Sequence, residues 1–355
     1  MQQLNGLDLA SSPTLEITFS VGFNNWLDRQ NFSIAFTTYQ AGKIFFVGLQ
    51  PSGKLSIFER TFDRSMGLWV QDSTLYLSSL YQVWRFENAL QPGETHHDYD
   101  ALYVPQCSYV TGDLDIHDLV VDKANKLVFA NTLFNCLATV SNHYSFVPLW
   151  QPPFITDLVA EDRCHLNGIA LREGEVRYVT AIGQTNSANG WRDLRDRGGC
   201  VVDVTTNEVI ATDLSMPHSP RWYQGKLWLL NSGTGEFGYI DRQGAFEPVV
   251  FCPGYLRGCA FKNNYAVLGL SLARNQTFSN LMLDEKLQRT NTEAICGLVV
   301  IDLQTGKIVH WLRMNGVVKE LYDVSIIPGI KRPMAIGFKS DEIKKLITIG
   351  RSYCS

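Results

Sequence analysis

No window of this chain approaches the roughly 18 unbroken apolar residues that a membrane-spanning helix needs, although 45% of its 355 residues are hydrophobic. Met1 to Ser20 has neither a basic leader nor a continuous apolar stretch, so no secretory signal is expected. Lys/Arg-rich runs are missing too. With a net charge of -4, neither nucleic acid nor an anionic membrane is an expected partner. The eight cysteines (Cys107, Cys136, Cys164, Cys200, Cys252, Cys259, Cys296, Cys354) form no CxxC pair and keep no regular spacing. That argues against a zinc knuckle or a disulfide framework and for buried, reduced thiols in a cytoplasmic protein. No Rossmann glycine pattern, kinase signature or nucleophile elbow occurs, so no nucleotide cofactor is expected.

What the chain has is a repeat. His218 to Asp241 contains a polar turn, an apolar strand at Lys226 to Leu230, a Gly-rich hairpin at Asn231 to Gly235 and a second strand. Aromatic and aliphatic runs bounded by Gly, Asn and Ser read as strands and turns. The same order recurs from Met66, Ile116, Leu166, Leu256 and Leu321. Aligning the turns places Gly67, Asp118, Gly168, Ser219, Gly258 and Asp323 at equivalent positions, spaced by 51, 50, 51, 39 and 65 residues. Such periods fit four-stranded propeller blades. The fold expected is all-β, a single β-propeller domain over 1–355. Counting residues 32 to 61 as a short blade favours seven blades; folding them into their neighbours gives six. Leu15 to Ser20 is expected to close the ring beside Ile343 to Ile349, removing an exposed edge. A helical insertion over 275–292 accounts for the longest gap, and a helical turn is expected at Ile155 to Asp162.

In a propeller the innermost strands line a central channel. The residues just before the aligned positions are Met66, His117, Asn167, His218, Arg257 and Tyr322, five of them polar. His165, Asp118, Arg221, Glu320 and Asp323 lie close to the same ring in sequence. Each could simply satisfy neighbouring loops, but separate blades have no packing reason to present polar heads to one spot. His117 and His218 could serve as bases or as ligands of a divalent metal. Arg257 would clamp an anion, Tyr322 would donate a proton, and Asn167 and His165 would orient the ligand, with Asp118, Arg221 and Glu320 beside them. Asn231 to Gly235 resembles a phosphate loop only in composition, since it joins strand to strand.

TGDLDIHDL (111 to 119), EDRCHLNGIAL (161 to 171), MPHSPRW (216 to 222), LWLLNSGTGEFG (227 to 238), PGYLRGCAF (253 to 261) and KELYDVSIIPGIKRPMAIGF (319 to 338) resemble an uncharacterised bacterial family. Its members are hypothetical proteins of cyanobacteria and proteobacteria, sometimes beside tetratricopeptide repeats. The resemblance implies a β-propeller of bacterial origin and carries no reaction with it. Streptogramin lyase-like, gluconolactonase-like and strictosidine synthase-like propellers work at the channel mouth, but their motifs are not found here. The expected function is therefore a small-molecule enzyme or binder at the mouth, of lyase, hydrolase or cyclase type. The alternative is a protein-interaction platform on the rim, with the 275–292 insertion as its contact surface.

Overall fold

The computed structural model describes residues 14–275, 277–278 and 281–350. Its strands form six antiparallel blades. Blade 1 consists of Leu321–Pro328, Phe32–Thr38, Lys43–Leu49 and Leu55–Thr61; blade 2 of Leu68–Gln71, Thr74–Ser78, Gln82–Asn88 and Ala101–Val110. Blade 3 consists of Ile116–Val121, Leu127–Asn131, Cys136–Thr139 and Val147–Trp150; blade 4 of Leu166–Arg172, Glu175–Ala181, Gly199–Asp203 and Glu208–Leu214. Blade 5 holds Pro217–Tyr223, Lys226–Asn231, Glu236–Ile240 and Phe246–Phe251; blade 6 holds Tyr255–Lys262, Tyr265–Ser271, Gly297–Asp302 and Lys307–Gly316. The first strand of each blade abuts those of its two neighbours, so the ring is closed. Each blade is covered on both faces. Middle strands such as Leu127–Asn131 and Gly199–Asp203 are therefore buried at every position, and the outer Val147–Trp150 is largely exposed.

Six blades, rather than seven, correct the favoured count. Residues 32 to 61 are no short blade: Leu321–Pro328, from the far end of the chain, supplies their innermost strand by pairing with Phe32–Thr38. This pairing closes the ring. Leu15–Phe19 instead adds a fifth strand to the outer edge of blade 6, beside Lys307–Gly316. Pro333–Ala335 covers the outer edge of blade 2 in parallel, so two of the exposed edges are blunted. Residues 343–349 contribute no strand, and Glu342–Lys345 is a short helix. The turn expected to be helical at Ile155 to Asp162 is irregular backbone, whereas the later insertion does contain a helix, Met282–Arg289. The seven described cysteines are free; Cys354 lies outside the described residues.

Two devices fix the blades against one another. Near the end of the second strand of every blade a buried hydroxyl links to the next blade. Thr37, Ser78, Thr132, Ser232 and Ser271 donate to Met66, Ile116, Leu166, Leu256 and Leu321 carbonyls at the start of the next blade. In blade 4 the link is longer: Thr180 donates to Asn167 Oδ1, and Asn167 Nδ2 donates to the Pro217 carbonyl at 3.0 Å. These bonds satisfy carbonyls that the sheets leave unpaired.

The second device is an alternation at the aligned turn positions. On blades 1, 3 and 5, Asp323, Asp118 and Ser219 accept the backbone N–H of Leu68, Ile169 and Gly258 from the following blade. On blades 2, 4 and 6 the position is glycine, and on blades 4 and 6 the next inner strand comes too close for a side chain. A Cβ on Gly168 would lie 2.3 Å from Pro220 Cδ, and one on Gly258 would lie 2.5 Å from the Val324 nitrogen. Arg221 braces the centre, at 2.8 Å from Asp118 and 3.6 Å from Asp323.

Candidate functional site

Above this brace, at the mouth of the channel, lies a cavity of about 390 Å³, within the usual range for a small-molecule site. Its floor comes from two rungs of the inner strands. His117, Arg257 and Tyr322 belong to the expected ring of polar heads. Asp115, His165, Met216, Tyr255 and Glu320 stand two residues earlier, all but Tyr255 just ahead of their strands, and line the same cavity. The repeat register contains this second rung, two residues before each polar head. Asp115, His165 and Met216, together with Asp162 in the same lining, take left-handed backbone conformations with φ of 53°, 53°, 50° and 42°. Such residues cost of order 1 kcal/mol or more each and cluster where the chain must aim side chains.

Two connections between second and third strands form the roof. In blade 4 the Gly190–Leu194 turn brings Trp191 and, just beyond it, Arg195; in blade 6 the insertion brings Arg274, Phe278 and Leu281. They meet over blade 5, where Trp191, Met216, Phe278, Leu281 and Leu283 share one apolar cluster. The Asn231 to Gly235 hairpin anchors the helix: the Leu283 nitrogen donates to the Gly233 carbonyl at 2.9 Å, and a Cβ on Gly235 would lie 2.7 Å from Leu283 Cδ1. Gly235 of that loop thus makes room for the roof. These lining residues lie in segments without repeat register, which is why the sequence does not assign them to the mouth.

The histidines differ in what holds them. His165 Nδ1 lies 2.9 Å from Asp162 Oδ2, which also accepts from Trp191 Nε1, and its ring packs on Trp191 with centroids 4.1 Å apart. A carboxylate on Nδ1 leaves Nε2 as the free base. His117 donates from Nδ1 to the Asp115 carbonyl at 2.8 Å and to Thr132 Oγ1, whose own proton goes to Leu166. Burial depresses its pKa to about 4, against the pull of Asp115, so its imidazole is neutral at ordinary pH. The two rings stand edge-on at 4.6 Å. His218 repeats the His117 arrangement with Met216 and Ser232. It does not line the cavity, and its Nε2 is buried without a hydrogen-bond partner among the described residues. Burial and Arg257 hold its pKa well below the ordinary value.

Arg257 lies over the Tyr322 ring at 4.5 Å and near that of Tyr255 at 5.4 Å. Among the described residues no carboxylate pairs with it: Glu320 is taken by Arg274 at 3.0 Å, and Asp115 lies near Arg64. The Tyr255 and Tyr322 hydroxyls are buried and find no acceptor among the described residues, and Arg257 is the group that acts on Tyr255 as a hydrogen-bond donor. Burial raises the pKa of Tyr322 well above the ordinary value and that of Tyr255 upward, while Arg257 opposes both shifts.

Of the remaining expected ligand-binding residues, Glu320 lines the cavity, whereas Asn167, Asp118 and Arg221 do not. Asn167 is the blade 4 link, and Asp118 and Arg221 form the central brace. A divalent metal on His117 and His218 finds no complete donor set. Among the described residues no group of three or more His, Cys, Asp or Glu is placed to hold one, and protein zinc sites need at least three ligands.

No helix among the described residues is long and apolar enough to cross a membrane. One chain of a nidogen/laminin complex superimposes with a TM-score of 0.53 at 13% identity, over 84% of this chain and 99% of that one, which supports the propeller fold alone. A virginiamycin B lyase from Staphylococcus aureus gives 0.41 at 9% identity, over 85% and 99%. A luciferin-regenerating enzyme gives 0.41 at 10% identity, over 88% and 98%. No curated protein sequence matches. Residues 21–336, which hold the six blades' inner strands and the whole lining of the mouth, match the family described as a domain of unknown function, DUF4915, and the chain belongs to that family.

Proposed function

We propose that the mouth cavity binds a small organic acid and performs acid–base chemistry on it, as an enzyme of lyase, hydrolase or cyclase type. The observation that carries this reading is Arg257: a guanidinium on the floor of a cavity, flanked by two tyrosine hydroxyls that have no acceptor and paired with no carboxylate among the described residues. A buried charge without a counterion is costly unless a ligand supplies one, and arginine suits carboxylate and phosphate geometry. In this reading Arg257 clamps the acid and the Tyr322 hydroxyl donates to it. His165, aligned by Asp162, is the general base, and neutral His117 accepts a hydrogen bond through Nε2. The role expected of His218 passes to His165, because His218 is walled off. The bacterial, cytoplasmic setting expected from the sequence belongs to the same reading. The rim-platform alternative would rest on the insertion's exposed polar face, Glu285 and Gln288 to Thr292, because its apolar residues Phe278, Leu281, Leu283 and Leu287 are turned inward as the roof.

Calorimetry with benzoate as probe tests the anion site. Wild type is expected to bind, and Arg257→Met to bind at least about tenfold more weakly without loss of melting temperature. Equal affinity in the two proteins, or no binding by wild type, would sink the proposal.

A further inference from the structure

We infer that the acidic head of the ligand is dianionic, a phosphoryl group or a pair of neighbouring carboxylates, held by Arg195, Arg257 and Arg274 around the Tyr255 hydroxyl. The inference rests on the anion-site reading above and specifies its charge. All four residues line the one cavity, and they come from three different segments: the blade 4 turn, the blade 6 inner strand and the blade 6 insertion. Arg195 is half-buried. Its Nε is oriented by the Arg192 carbonyl at 3.0 Å, its own carbonyl accepts from Ser215, and it forms no ion pair among the described residues. Arg274 lies over the Tyr39 ring at 4.8 Å and is neutralised by Glu320. The charges that act on Tyr255 are those of Arg257, Arg274 and Arg195, all positive.

Of the three carboxylates in the lining, Glu320 is paired with Arg274, Asp115 lies near Arg64, and Asp162 accepts from Trp191 and lies at His165 Nδ1, so Arg195 and Arg257 face a buried hydroxyl that has no acceptor, with no ion-pair partner among the described residues. A monocarboxylate would answer one of them. A dianion answers both and takes the Tyr255 proton as a hydrogen bond, so the tyrosine itself remains neutral. Arginine forks recognise such groups through paired N–H···O bonds, and the aromatic roof of Trp191 and Phe278 leaves an apolar body room above the head.

The test compares three probes with one body: benzoate, phthalate and phenyl phosphate, at about pH 8, where the second phosphate proton is off. At least one dianion is expected to bind about tenfold or more tighter than benzoate, and the better of the two tells phosphoryl from dicarboxylate. Arg195→Met is expected to bring that dianion down to about the benzoate level while weakening benzoate itself far less; Arg274→Met is expected to do the same. Benzoate binding that Arg257→Met abolishes, combined with dianions no tighter than benzoate or unaffected by Arg195→Met, would overturn this inference and leave the anion site standing. Failure of all three probes to bind overturns both.

Discussion

Two arginines on neighbouring inner strands meet opposite fates. Arg221 of blade 5 sits on the axis between Asp118 and Asp323 and also donates to the Ile169 carbonyl. Arg257 of blade 6 sits nearer the mouth with only aromatic rings and buried hydroxyls against it. The same side chain in the same ring is thus fully answered at one depth and unanswered at another. A charge whose partners are built into the fold does structural work, whereas in the reading proposed above one whose partners are missing is answered by a ligand.

The contrast breaks most visibly in stability. Arg221→Met strands two buried carboxylates, and removing one member of such a cluster costs about 3–5 kcal/mol. Urea or thermal unfolding of this variant is expected to show that loss, while Arg257→Met, which removes an unpaired charge, melts no lower than wild type. A smaller effect separates the glycines that let the blades close in. A Cβ on Gly258 would lie within 2.7 Å of Asp323 backbone at a φ of 77°, whereas one on Gly67 would meet nothing nearer than 3.3 Å. Gly258→Ala is expected to lose about 1–3 kcal/mol of unfolding free energy, and Gly67→Ala distinctly less; equal losses would refute the closer approach of the strands at Gly258.

A third effect is in acid. The His117 pKa is about 4 in the fold against 6.5 ordinarily. A depressed value means that the fold favours the neutral ring. Its contribution to stability is therefore full above about pH 6.5 and is lost as the pH falls from there through about 4. His117→Gln should flatten the fall of melting temperature across that window; an unchanged slope would mean that His117 is not held neutral.

Much of the fold was legible in the letters. The six aligned positions Gly67, Asp118, Gly168, Ser219, Gly258 and Asp323 name the six inner strands, and their alternation of glycine with an acceptor was already visible. Its meaning was not, because it depends on how closely consecutive blades approach. The extra blade arose because residues 32 to 61 lie nearly 300 residues from Leu321–Pro328, the strand that completes them; pairing across the whole chain leaves no local signal. At the site, His117, Arg257 and Tyr322 were found through repeat register, and Glu320 and His165 through proximity to it. Asn167 and Asp118 share that register but turn their polar groups to neighbouring backbone. A ring of polar heads therefore reports the mouth without sorting linkers from ligand groups. Trp191, Arg195, Arg274 and Phe278 sit in connections that follow no repeat, and only the folded chain brings them together.

The most direct measurement is a crystal structure of the protein grown with saturating benzoate. The account predicts the carboxylate within hydrogen-bonding distance of the Arg257 guanidinium, with the ring beneath Trp191 and Phe278. Benzoate bound elsewhere, or a mouth cavity without it while Arg257 takes up a partner from the chain, would contradict the account.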